Sequence, residues 1–111
     1  MPGGTQRTGG PPGLVLRLYV TTGTPNSTAA IANLHAICAA HARDGHRLDI
    51  VDVLDDPLRA LADGVIVTPT LVKLAPAPMA KIVGDLSATQ RVLAVLGLPP
   101  LRSPGGDASS V

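Results

Sequence analysis

Apolar residues recur along this chain in two periods, and the change from one to the other marks its elements. Leu14–Val20 (LVLRLYV) is apolar except at Arg17 and Tyr19 and predicts a central strand. Thr21–Asn26 is a loop. Its Thr24-Pro25 predicts a helix start, because a side-chain acceptor can cap free N–H groups and proline at the first helical position loses no bond. Ile31, Leu34, Ile37 and Cys38 then share one face at helical spacing, carrying the helix to about Asp44, where Gly45 ends it. Leu48–Leu54 alternates and then saturates with apolar residues, which predicts a mostly buried strand. Asp56-Pro57 repeats the helix-start signal, and Leu58–Asp63 gives under two turns before Gly64, which suits a left-handed close. Two apolar runs, Val65–Leu74 and Met79–Val83, read as strands joined by the stiff turn Pro76-Ala77-Pro78. Ser87 with Gln90 predicts a capping box for a last helix, whose face is Val92, Leu93 and Leu96 and whose stop is Gly97 and Pro99.

The order is βαβαββα. Two βα units around one small mixed sheet, with Thr68-Pro69-Thr70 at the mouth of the third strand, is the thioredoxin-like α/β arrangement. Proline there cannot donate to a ladder, so it belongs at a strand entry, and Thr68-Pro69 is a candidate cis peptide.

The ends change the picture of length. Residues 1–13 and 99–111 are mostly Gly, Pro, Ser and Thr and predict disordered tails, which leaves 14–98 as one domain. Its core must be aliphatic: the chain has one Tyr and no Phe or Trp. A net charge of +1 without a basic stripe offers no footprint for nucleic acid. No apolar run is long enough to span a membrane, and no signal core opens the chain, so a cytoplasmic protein is expected.

Candidate chemistry is thin. A thioredoxin-type redox centre needs a low-pKa cysteine at a helix start, and Thr21–Asn26 has none. The single cysteine, Cys38, lies mid-helix on the apolar face and reads as a buried structural thiol. His35, His41 and His46 lack a same-face spacing for metal ligation. Asp52 reads as an exposed strand-edge carboxylate, the alternative being a half-buried one with a raised pKa. No nucleophile elbow or phosphate loop is visible, and no cofactor is called for.

Five blocks, LRLYV, TPNS, DVLDDP, VTPTLVK and KIVGDLSATQRVL, stand in an order and spacing that resemble the KaiB family of circadian-clock proteins, over Leu14 to about Leu98. The resemblance implies a non-enzymatic regulator that binds the N-terminal ATPase ring of a KaiC-type hexamer. It implies fold switching too: an oligomeric ground state, βαββααβ and dimeric or tetrameric, would rearrange its C-terminal half into a thioredoxin-like monomer. By position Lys73 and Lys81 match basic partner-binding sites, and Asp49 and Asp85 are placed with them. Thr68, Pro69, Thr70, Pro76, Pro78, Gly84 and Gly97 are the positions where the chain can change direction. Val92–Leu96 fits a helix face or a short strand, and Pro99 favours the helix and the monomer. The competing expectation is a stand-alone thioredoxin-like adaptor without redox activity.

Overall fold

The structure is a computed structural model and describes residues 13–42 and 45–98. The two predicted tails and the helix end at Asp44 lie outside those residues, Gly13 apart. Along the chain run β1 (Leu14–Val20), α1 (Pro25–His41), β2 (His46–Asp52), α2 (Pro57–Ala62), β3 (Thr70–Ala75), β4 (Ala80–Val83) and α3 (Thr89–Leu96). The four strands form one sheet in the order β2-β1-β3-β4. β2 pairs parallel to β1, whereas β3 pairs antiparallel to both β1 and β4. This is the expected mixed sheet, with the predicted central strand at its centre.

Strand alternation sends β1 residues to opposite sides. Leu14, Leu16, Leu18 and Val20 join Leu34 and Ile37 of α1, Leu71, Ile82, and Val92, Leu93 and Leu96 of α3 in the larger core. Tyr19 goes to the other side, into a small cluster with Val51, Ala60 and Val72. Leu86 enters the larger core from a left-handed backbone (φ 64°). That conformation costs roughly 1–2 kcal/mol for an L-residue, which burial of a leucine side chain offsets.

Local readings fail where a side chain found a nearer partner. β2 ends at Asp52 rather than Leu54, because the Asp52 carboxylate accepts the Leu54 N–H at 2.9 Å and starts a turn. The run Val65–Leu74 becomes a strand only from Thr70. Val65 N–H closes α2 on the Ala60 carbonyl, Pro69 has no N–H to give, and the Thr70 hydroxyl donates to the Val67 carbonyl. Ile66 is consequently 93% exposed. The capping box is absent: Ala88 holds the N-cap position of α3, and the Asp85 carboxylate takes the Ser87 N–H instead. Thr24 precedes α1 as expected, but its hydroxyl turns back to the Thr21 carbonyl. Asp56 does cap α2, through the Arg59 N–H. Gly97 ends α3 in the left-handed region at φ 74°.

Candidate functional site: the α2 face of the sheet

α2 is six residues long and buries one of them, Ala60. Its neighbours on the sheet are Tyr19, Val51 and Val72. Tyr19 is fully buried, and its single hydroxyl proton has two acceptors in reach, the Asp63 carboxylate and the Arg59 carbonyl, both at the C-terminal end of α2. Arg17, also on β1, donates from Nη1 to Asp63 at 2.9 Å and from Nε to Asp49 at 3.4 Å. Arg59 closes the circuit on Asp49.

These contacts shift the groups together. The Tyr19 hydrogen bond, then Arg17, holds the Asp63 carboxyl below the usual aspartate range. Burial, then the Asp63 bond, pushes the Tyr19 hydroxyl up. The Arg17 guanidinium is raised further, chiefly by its bond to Asp63. Sequence reasoning missed Asp63, a helix-end residue with no motif around it. The one signal was Arg17 and Tyr19 in a strand otherwise apolar, since buried polar groups must find partners.

The outer side of this region is apolar. Leu54, Leu58 and Leu61 are each more than 70% exposed, and Ile66 and Val67, just beyond the helix in sequence, are exposed too. Isolated exposed leucines are ordinary, but five exposed large apolar residues within fourteen positions are more than isolated cases. An open cleft of ≈ 270 Å³ lies over the β1–β2 end of the same face, lined by Val15, Arg17, Arg47, Asp49 and Leu74 among others.

The expected site residues divide between the two faces. Lys81 pairs with Val72 in register, and its Nζ lies 2.7 Å from where a Cβ on Gly64 would stand. Lys81 and Asp49 therefore belong to the α2 side. Lys73 alternates to the side of Leu71 and is only 6% exposed, so it is no solvated surface charge. Asp85 holds a turn: its carbonyl accepts from Asn33 of α1 at 2.8 Å, and its Ser87 contacts keep its carboxyl low. Asp52 is likewise lowered, first by its Thr22 contact, so the raised-pKa alternative is not realised. Among the positions expected to redirect the chain, the Thr68 hydroxyl meets that of Thr21 at 2.7 Å, and the Pro69 carbonyl accepts the Gly84 N–H. Pro76 and Pro78 form the β3–β4 turn, and the Thr68–Pro69, Ala75–Pro76 and Ala77–Pro78 bonds are cis.

Thr21–Asn26 carries no thiol, and burial raises the pKa of Cys38 away from reactive thiolate. Among the described residues no three His, Cys, Asp or Glu cluster as a metal site, and no helix is long and apolar enough to cross a membrane.

The fold is thioredoxin-like, the loop Thr21–Asn26 ahead of α1 carries no cysteine, and Leu54, Leu58, Leu61, Ile66 and Val67 are exposed on α2 and the segments next to it in sequence. The chain belongs to the KaiB family: the KaiB domain model matches residues 17–98. It is 44% identical over 87 residues to "Circadian clock protein KaiB3" of Synechocystis sp., covering 78% of this chain and 85% of that protein. To the "Circadian clock oscillator protein KaiB" of Acaryochloris marina it is 44% identical over 84 residues, with 76% and 81% covered. Among solved structures, the N-terminal domain of Synechococcus elongatus SasA superposes with a TM-score of 0.66 at 25% identity, covering 86% of this chain and 94% of that one. Mitochondrial thioredoxin 3 of Saccharomyces cerevisiae reaches 0.63 at 20% identity over 77% of this chain and 78% of its own, a likeness of fold.

Proposed function

We propose that this chain is a non-enzymatic clock or timing regulator that docks on the N-terminal ring of a KaiC-type hexameric ATPase through its α2 face. The observation that carries the reading is the exposure of Leu54, Leu58 and Leu61 around a helix that faces away from the core. Family membership supplies the partner class. Lys81 and Asp49 flank this face and are the charged residues assigned to the contact. Lys73 and Asp85 serve the helical side in this arrangement.

Family membership also supports reading the described arrangement as the docking form, with a second, self-associated form in which the C-terminal half is repacked. Two packings that differ by only a few kcal/mol suffice for such exchange. A second reading, a thioredoxin-like adaptor locked in one fold, is favoured by the likeness to the SasA domain.

The test mixes the full chain with a purified KaiC-type hexamer on a sizing column. Co-elution of wild type and its loss in Leu61→Glu are expected, since Leu61 is 71% exposed and its replacement leaves the fold intact. Failure of wild type to co-elute refutes the docking reading. Chemical shifts of Ser87–Leu98 in the free protein and the complex then separate the two forms: strand shifts in one state only support switching, and helix shifts in both support the locked adaptor.

A further inference from the structure

α1 buries five residues and α3 buries three, but α2 buries Ala60 alone. A six-residue helix with one small buried side chain has little apolar hold on its sheet. Yet it is the element that presents Leu58 and Leu61 outward. What fastens it is polar and sits at its C-terminal end. Tyr19 is inaccessible, and its hydroxyl meets the Asp63 carboxylate and the Arg59 carbonyl. Arg17 reaches the same Asp63 oxygen from the same strand. Asp49 of β2 binds both Arg17 and Arg59, so the two strands and the helix end share one circuit.

We infer that buried Tyr19 with half-buried Arg17 and Asp63 forms a polar latch that fixes α2 on the sheet and so holds its outward leucines in docking geometry. They are positioning residues: none presents its own side chain to the partner. The inference rests on the docking role proposed above for the α2 face.

The charged groups around the latch come from every element packed there: Arg17 and Tyr19 from β1, Asp49 from β2, Arg59 and Asp56 around α2, and Lys81 of β4 against Gly64. A network of this kind is directional, and loss of one member removes a bond from each of its neighbours. Helix position then depends on a handful of hydrogen bonds rather than on buried area. Docking should therefore be sensitive to atoms the partner never touches.

Tyr19 is the only aromatic residue in the sequence, so its emission reports the latch alone. An ionised carboxylate accepting a phenolic proton quenches that emission. The experiment compares Asp63→Asn, and the milder Tyr19→Phe, with wild type in the full chain. Asp63→Asn should brighten Tyr19. Both variants should speed amide exchange at Ala60–Gly64 tenfold or more, leave α1 and α3 amides as protected as before, and weaken binding to a purified KaiC-type hexamer about tenfold. Unchanged exchange at α2 overturns the inference. So does faster exchange spread evenly over all three helices, which is a general loss of stability, and so does undiminished binding by a variant with a loosened α2. A wild type that binds no hexamer refutes the functional reading, and the docking half of the inference with it. The latch is still judged by emission and exchange.

Discussion

α1 and α2 both carry the chain from one strand of the sheet to another, and they are held by unlike means. α1 runs seventeen residues and sinks Leu34, Ile37 and Cys38 among the aliphatic side chains of β1 and α3. α2 runs six residues and leans on Tyr19, Arg17 and Asp63. Aliphatic burial has no direction: many combinations of Leu, Ile and Val fill the same space at similar cost. A hydrogen-bonded carboxylate has direction and few substitutes. The larger face of the sheet is thus robust and uniform, while the smaller face is specific and easily released. The surface proposed to dock, on the half of the domain proposed to repack, is well served by the second kind of hold.

The contrast breaks most severely at Leu34, which is fully buried. Leu34→Ala should cost about 3 kcal/mol, within the 2–5 kcal/mol usual for such truncations, and shift the urea midpoint of the whole domain. If only α2 reports the loss, the two faces are not separate units. Tyr19→Phe should cost less, about 1 kcal/mol, because it removes one hydroxyl while Asp63 keeps its bond to Arg17. Its effect should concentrate in α2 amide exchange.

Acid sharpens the same division. The folded-state pKa of Asp63 lies below its unfolded value, so its contribution is present above the unfolded aspartate range and is lost as pH falls through the lower folded value. Asp52 and Asp85 are lowered in the same direction, so overall stability falls there too. The part due to Asp63 is the difference between wild type and Asp63→Asn. Brightening of Tyr19 and loss of α2 protection in that acid window are expected in wild type only, with α1 and α3 still protected. Loss of α1 protection at the same pH would show one cooperative unit.

Cys38 belongs to the robust side. Cys38→Ala should cost about 1 kcal/mol as a small truncation and abolish no activity. Insulin reduction that vanishes with this change would revive thiol chemistry. Smallest is Lys81→Ala, an exposed charge whose removal should leave stability within about 0.5 kcal/mol. A weaker hexamer complex from this variant places the contact on the α2 side of the sheet. An unchanged complex removes Lys81 from it.

The partition between sequence and structure follows the range of the forces involved. Element order, helix starts at Thr24-Pro25 and Asp56-Pro57, the central position of Leu14–Val20, the buried Cys38 and the missing catalytic thiol were all legible, because each depends on local backbone chemistry or on a period that side chains repeat. The family was legible for the same reason: its blocks are contiguous stretches. Boundaries went astray at Leu54, at Val65–Pro69 and at Ser87, where Asp52, the Thr70 hydroxyl and Asp85 supplied partners that no period records. The placement of the candidate site residues was legible in part. Lys81 and Asp49 fall on one face, but Lys73 turned out covered, because alternation from Val72 sends it to the helical side, a matter of strand register. Asp63 could not be read at all. It lies forty-four residues from Tyr19 in the chain, and only the closing of β1 against α2 brings the carboxylate to the hydroxyl. By itself the sequence determined the order and kind of the elements between residues 13 and 98, since propensity and periodicity act over a few residues. Only the tertiary structure decided which polar groups meet, because a hydrogen bond between distant residues exists once the sheet has set their distance and not before.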